Sequence, residues 1–275
     1  MTELTIQGLA THVEISGEGE PMIFIHGNPD DAHMWDDVMA HMPSGFQFIA
    51  PDLPGFGQSS YREDIDYSIR NRGQWVADAL DALSIDTPVI VVAHDHGGVF
   101  GASFAVQYPE RVKALVLQNT LFHREYNWHP MGKIWRTPIL GELNIKLIAV
   151  PALSMPVMHQ YVKWGAPDLT YEHTRAMFAR FSANEHMGKS MLKLYRDSNP
   201  EDLAGWDDKL YAFAKDKPTL VLWGKQDKYL PMAFPEKLQT HGAKLVVFED
   251  AGHWLALTQP EAYADEMTKF LDTLR

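Results

Sequence analysis

Residues 89–98 read VIVVAHDHGG. Four β-branched residues in a row, with no polar alternation, suit a strand buried on both faces. Gly97–Tyr108 then reads as a helix that ends near Pro109. Between strand and helix the chain must turn sharply, and Asp95 sits on the turn. Its neighbours two residues away, Ala93 and Gly97, are small, as a strained bend requires. Gly98 allows close helix packing. The start of the helix points amide N–H groups and a positive dipole at Asp95, which predicts an ionised, nucleophilic carboxylate. An aspartate that merely caps the helix is the plain alternative.

Outward from this stretch, short apolar runs alternate with helical patterns. Thr11–Ser16 alternates polar and apolar, which predicts a half-exposed antiparallel strand. Met22–Ile25, Phe46–Ala50, Val89–Ala93, Ala114–Leu117, Thr219–Trp223 and Leu245–Phe248 are expected buried strands. Arg72–Leu83 places Trp75, Val76, Ala79, Leu80 and Leu83 on one helical face. A terminal helix is expected from about Pro260. Alternating β and α predicts an α/β fold, a mostly parallel central sheet with helices on both faces. The rhythm lapses from about Leu121 to Trp206, where aromatics, Met and Pro accompany helical spacing in His173–Phe181 and Met187–Tyr195. This divides the chain into a core, 1–120 and 207–275, and an inserted helical cap, 121–206. Open parallel sheets bind ligands at the carboxyl ends of their strands, so the cap should enclose a site there.

Composition narrows the function. The chain has 275 residues, with 24 Lys+Arg against 36 Asp+Glu, a formal charge of −12. So acidic a surface repels phosphate backbones, and no nucleic-acid partner is expected. There is no cysteine, so disulfides and thiolate metal sites are excluded. No signal peptide and no apolar run long enough to span a membrane are read. A cytoplasmic protein, monomer or homodimer, without cofactor or metal is expected.

Three acid–base residues each follow a buried strand: Asp95 after VIVVAH, Asp227 after TLVLWGKQ, and His253 after LVVFEDAG. Nucleophile, acid, histidine is the chain order of the α/β-hydrolase triad. Five blocks in order carry the resemblance: His26-Gly27-Asn28-Pro29, Asp52–Gly57 (DLPGFG), Ala93–Gly98, Trp223–Asp227 (WGKQD) and Ala251-Gly252-His253-Trp254. The chain resembles an α/β-hydrolase over nearly its whole length, in the group with aspartate as nucleophile, the haloalkane dehalogenases and epoxide hydrolases. The resemblance implies attack by Asp95 on an sp³ carbon and an alkyl–enzyme ester. Water activated by His253 and Asp227 then hydrolyses the ester. The backbone N–H groups of Asn28 and His96 are the implied oxyanion hole. His26 is implied to support that loop. His94 is expected to pack, and the triplet His94-Asp95-His96 is not expected to bind metal, since successive residues point apart.

The leaving group stays open at this point. Asn28 matches the amide that holds halide in haloalkane dehalogenases, but His96 stands where those enzymes usually carry tryptophan. Trp128, Trp135 and Trp164 are candidate second donors. Epoxide hydrolases instead place acidic hydroxyls in the cap. Tyr195 matches one, and His159 or Tyr161 is the candidate partner. An arginine after the nucleophile would hold a haloacid carboxylate, and His96 counts against that. Met155, Met158, Met177, Met187 and Met191 join Trp164, Phe178 and Phe181 in the cap, which points to a small apolar substrate or else to the cap's own core. Haloalkane hydrolysis is the first expectation and epoxide hydrolysis the second. An inactivated or ligand-binding relative of a serine esterase is the reading from another class.

Overall fold

The computed structural model describes residues 2–274. Among them eight strands form one sheet, in the spatial order β1-β2-β4-β3-β5-β6-β7-β8. They are β1 Thr2–Ile6, β2 Leu9–Gly17, β3 Gly19–Ile25, β4 Gly45–Pro51, β5 Val89–His94, β6 Val112–Thr120, β7 Thr219–Gly224 and β8 Lys244–Phe248. β2 runs antiparallel to β1 and β4, and every other pairing is parallel. The alternating stretch Thr11–Ser16 lies in β2, and the six apolar runs lie in β3 to β8. β1 escapes the sequence reading because it is an edge strand with Glu3 and Thr5 exposed and no apolar run. It joins β2 through Gln7 and Gly8, both at positive φ (50° and 76°), the backbone of a tight hairpin.

Period-two alternation divides the strand residues between two cores. Met22, Phe24, Ile90, Val92, Val116 and Leu222 enter one. Ile23, Ile25, Val89, Val91, Leu117 and Val221 enter the other. Each fully buried Val or Ile is worth about 1.5–3 kcal/mol in transfer from water, so β5 anchors the sheet strongly for its length. The helices are α1 Asp36–His41, α2 Ile69–Ala82, α3 Asp95–Gln107, α4 Pro130–Arg136, α5 Leu140–Ile148, α6 Pro151–Gly165, α7 Tyr171–Ala183, α8 Met187–Arg196, α9 Trp206–Asp216, α10 Ala233–Thr240, α11 Leu255–Thr258 and α12 Pro260–Asp272. α1, α11 and α12 cover the first core; α2, α3, α9 and α10 cover the second.

Between β6 and β7 the helices α4 to α8 follow one another without a strand. They form the cap. An ion pair of 2.8 Å from Arg180 on α7 to Asp31 in the core ties the two parts together. No helix among the described residues is long and apolar enough to cross a membrane.

Candidate active site

The helix expected from Gly97 begins two residues earlier, at Asp95. Asp95 has φ +49°, a region costly for any residue with a Cβ. Close backbone approach holds it there. A Cβ on Gly97 would stand 2.2 Å from the His26 carbonyl oxygen, and one on Gly27 would stand 2.5 Å from the Cβ of Asp95. The Thr120 hydroxyl donates to the Asp95 carbonyl at 2.7 Å and pins the turn to the end of β6. His26 supports the neighbouring loop: its Nε2 accepts from the Leu53 N–H at 2.9 Å, so Nδ1 donates to the Gly27 carbonyl at 2.8 Å.

The two oxygens of Asp95 have different surroundings. Oδ2 accepts from the Asn28 backbone N–H at 2.9 Å, and the His96 backbone N–H also bonds the carboxylate. Oδ1 lies 3.9 Å from His253 Nε2, too far for a hydrogen bond. His253 Nδ1 meets Asp227 Oδ2 at 2.7 Å. A carboxylate only accepts, so Nδ1 carries the proton and the neutral ring presents an Nε2 lone pair. Asp227 is itself held by the Asn119 amide at 2.7 Å and by the N–H groups of Tyr229 and Leu230 at 2.7 and 3.2 Å. The three residues expected from the sequence thus converge, though Asp95, Asp227 and His253 come from three strand ends.

Burial pushes the Asp95 carboxyl upward, and His253 and the two amides pull it back without cancelling the rise. The helix start and the amides favour the charged form of Asp95, but desolvation outweighs them in the direction of the shift. Burial opposes a charge on His253 too, but there the charge and hydrogen bond of Asp227, with Asp95, prevail and its pKa is raised. His96 goes the other way. Burial, then Arg72 and His129, drive its pKa well down, so the ring is neutral. Neither ring nitrogen of His96 has a partner among the described residues. The His94 ring packs 4.6 Å from that of His253, while the His96 ring packs against Tyr195 at 4.7 Å. The two rings diverge, and among the described residues no three side chains converge on a metal position.

Asp95, His96, Asn28 and His253 form the floor of a cavity roofed by the cap. Trp128, Trp135, Met158, Phe178, Phe181 and Met191 make its walls apolar. Tyr195 on α8 lines it, fully within the fold, and its hydroxyl accepts from Asn28 Nδ2 at a long 3.4 Å. His159 and Trp164 do not reach it. His159 bonds Thr174 on α7 at 2.9 Å, and Trp164 is 40% exposed, lying on Tyr161 and Tyr229. The reason is helical phase. His159 and Tyr161 lie two residues apart on α6, about 200° around the axis, and Tyr161 takes the inward side. The Tyr161 hydroxyl stands 2.6 Å from His129 Nδ1. That nitrogen also accepts the Gly132 N–H at 3.1 Å, so it bears no proton and Tyr161 is the donor. Asn119 and His129 are the site residues the sequence reading passed over. Asn119 follows the β6 run as the three candidates follow theirs, which was a usable signal; His129 shows only as a residue before Pro130.

The model of the α/β hydrolase fold matches residues 20–143 and 149–260. The chain belongs to this family. A cis-3-alkyl-4-alkyloxetan-2-one decarboxylase of Shewanella oneidensis is 28% identical over 92% of this chain and 82% of its own length. A 2-hydroxy-6-oxo-2,4-heptadienoate hydrolase of Pseudomonas putida is 26% identical over 96% of this chain and 93% of its own. The solved structure of a haloalkane dehalogenase from Agrobacterium tumefaciens superposes with a TM-score of 0.82 at 24% identity, covering 100% of this chain and 96% of that one. Three chemistries on one architecture mean that the fold establishes hydrolase kinship, and the choice among reactions rests on the site.

Proposed function

We propose that the protein hydrolyses small apolar haloalkanes through an ester of Asp95. The observation that carries this reading is the division of labour between the two Asp95 oxygens. Oδ2 already accepts from the Asn28 N–H, with the His96 N–H also on the carboxylate, while Oδ1 is the oxygen on the His253 side, 3.9 Å from Nε2. Oδ1 attacks the sp³ carbon and the carbon–halogen bond breaks, the pair leaving with halide. Oδ2 becomes the ester carbonyl oxygen without moving. Esterification also removes the Asp95 charge that raises His253, so the imidazole becomes more easily neutral when a base is required. His253 Nε2 then takes a proton from water. The hydroxide adds to the ester carbon, and the oxyanion on Oδ2 is held by the two N–H groups. Collapse expels the alcohol, which takes the proton from His253.

Two neutral donors meet on the cavity that Asp95 lines: the Asn28 amide and the Tyr195 hydroxyl. No acceptor for the Tyr195 proton stands among the described residues, and the pair gives a halide two donors in a dry pocket. Neutral His96 offers no charge for a carboxylate substrate. The same free phenol supports a second reading, epoxide hydrolysis, in which Tyr195 protonates the opening oxygen. The Tyr161 proton is committed to His129, and Tyr126 is the other phenol on the cavity with no acceptor for its proton among the described residues. The Asn28 amide beside Tyr195, which suits a halide and which ring opening does not use, ranks the halide reading first.

His253→Gln should accumulate an adduct whose intact mass grows by the alkyl group of a bromoalkane. Absence of added mass with both bromoalkanes and a styrene-type epoxide sinks the covalent mechanism. Asn28→Ala should damage bromide release far more than diol formation; equal loss removes the halide role.

A further inference from the structure

Behind the active-site cavity lies a buried guanidinium with no carboxylate in direct contact, Asp197 and Asp66 acting on it only from a distance. Arg72 on α2 is 2% exposed. Its Nε donates to the Tyr67 carbonyl at 2.7 Å, its Nη2 to the Ser198 hydroxyl, and its guanidinium lies 5.7 Å from the Phe100 ring centre. All three partners are neutral, and no ion pair to Arg72 exists among the described residues. Arg136 on α4 lies 5.2 Å over the Trp128 ring and donates only to the Tyr195 and Ser198 carbonyls and the Asn199 amide oxygen. Trp128 itself is 8% exposed, and its indole N–H has no acceptor among the described residues. A buried cation and a buried orphan donor are both costly, and here they stand together in a chain of formal charge −12.

Arg72 and Trp128 border one small cavity, closed by Ile69, Val99, Leu203 and the Ser198-Asn199 turn. It has room for about one water-sized occupant. A water would answer the N–H but not the charge. Its own protons would lack obvious acceptors, since the Ser198 oxygen already accepts from Arg72 while donating to the Leu194 carbonyl. A monatomic anion accepts from both groups. We propose that this cavity binds chloride or bromide between Arg72 and Trp128, as a site distinct from the one beside Asp95. The apolar walls favour a weakly hydrated halide over fluoride, and the size excludes sulfate and phosphate. Trp128 and Leu121 form the partition, lining both cavities. An anion here would offset the guanidinium charges that press on His96.

The test is bromide anomalous diffraction on crystals of the whole protein grown in sodium bromide, with melting followed in solution. Wild type should show a peak beside Arg72 and Trp128. Its melting temperature should rise by about 2–4 °C between zero and 100 mM bromide relative to equal sodium gluconate. Trp128→Phe keeps the ring and should weaken both signals; Arg72→Met should abolish both. If Arg72→Met does not fold, Trp128→Phe decides alone. No peak in wild type, or a peak and a salt shift unchanged in the variants (an adventitious ion only), overturns the site. A peak between Asn28 and Tyr195 is read separately: it supports the dehalogenase reading whether or not the second position fills.

Discussion

The core and the cap bury their apolar residues differently. In β5, Val89, Ile90, Val91 and Val92 are all completely covered. On the cap, Ile139, Leu143 and Val157 are more than half exposed. The central strands leave little else, because helices cover both faces there and the residues of β5 are buried along its whole length. The cap is a single layer of short helices over one end of the sheet. Its inner side lines the cavity and its outer side meets solvent. Rigid strand ends therefore carry Asp95, Asp227 and His253, and the less constrained layer carries Tyr195, Tyr161 and the apolar walls. In the proposed mechanism that assigns ester hydrolysis to the core and leaving-group departure to a pair shared between core and cap.

The sharpest way to break this division is to disable one side at a time. Asp227→Asn leaves Oδ1 of Asp95 free to attack but removes the acceptor that fixes the His253 tautomer. Turnover should fall about 10⁴-fold, as in other triads, while a burst of one bromide per enzyme persists in rapid quench. Tyr195→Phe should do the reverse, slowing the burst by about 10–100-fold and sparing ester hydrolysis. A burst lost in Asp227→Asn, or an ester step slowed by Tyr195→Phe, would end the division.

A second contrast concerns packing. In Gly97→Ala the new Cβ meets backbone: the His26 oxygen at 2.2 Å and the Ile25 oxygen at 2.4 Å. The end of β3 cannot yield, so a loss of about 1–3 kcal/mol is expected. In the cap, Gly132→Ala meets the Trp128 ring at 3.0 Å. A side chain can give by a few tenths of an ångström, and alanine gains helix propensity of up to about 1 kcal/mol. Urea midpoints should separate the two clearly; equal losses would mean the cap is as rigid as the sheet.

The same contrast decided what could be read from the sequence. The runs in β3 to β7 are legible because two-sided burial disfavours polar residues, and punctuation such as Pro51-Asp52 marks their ends. Leu245–Phe248, expected buried, lies in the edge strand β8 and is only half-buried. Asp95, Asp227 and His253 are legible because each follows such a run. The cap gives weaker signals. α6 contains Pro156, α4 spans only seven residues, and α5 exposes Leu140, Leu143 and Leu147, so apolarity there does not report an inward face. Without helical phase, His159 and Tyr161 cannot be ranked, and the outward residue was an equal candidate. The match of Tyr195 rested on resemblance in the segment Met191–Arg196, and the structure places that residue on the cavity. Arg72 was invisible as a site: in sequence it is a charge at the start of a helix, and only the fold strips it of water and partners.

A third contrast is in protons. Asp30 lies in the core beside His253. Burial raises its carboxyl to about 7, against the opposing Trp254 hydrogen bond and the Arg180 charge. Its ordinary value is 3.8, so between about 4 and about 7 the folded chain binds a proton that the unfolded chain has released. Stability contributed by that proton is present at low pH and lost as pH rises through this window, at up to about 1.4 kcal/mol per pH unit. Asp30→Asn keeps an oxygen for the Trp254 N–H, which bonds Oδ2 at 2.8 Å, and cannot titrate. Its melting temperature should fall less than that of wild type from pH 5 to pH 7. Parallel curves would show that Asp30 is ionised in the fold across this range.

The smallest effect belongs to the cap's outer face. Leu143 is 58% exposed, so most of its side chain already stands in water and Leu143→Gln forfeits little apolar contact. A surface change of this kind lies within about 0.5 kcal/mol, and glutamine is nearly as good a helix former as leucine. The urea midpoint should therefore move less than for any substitution above. A loss beyond about 1 kcal/mol would require the face to be covered in solution. It would then grow with protein concentration, because a covered face can only be shared with another molecule. Measuring the midpoint at two concentrations tenfold apart separates an exposed cap from a shared one.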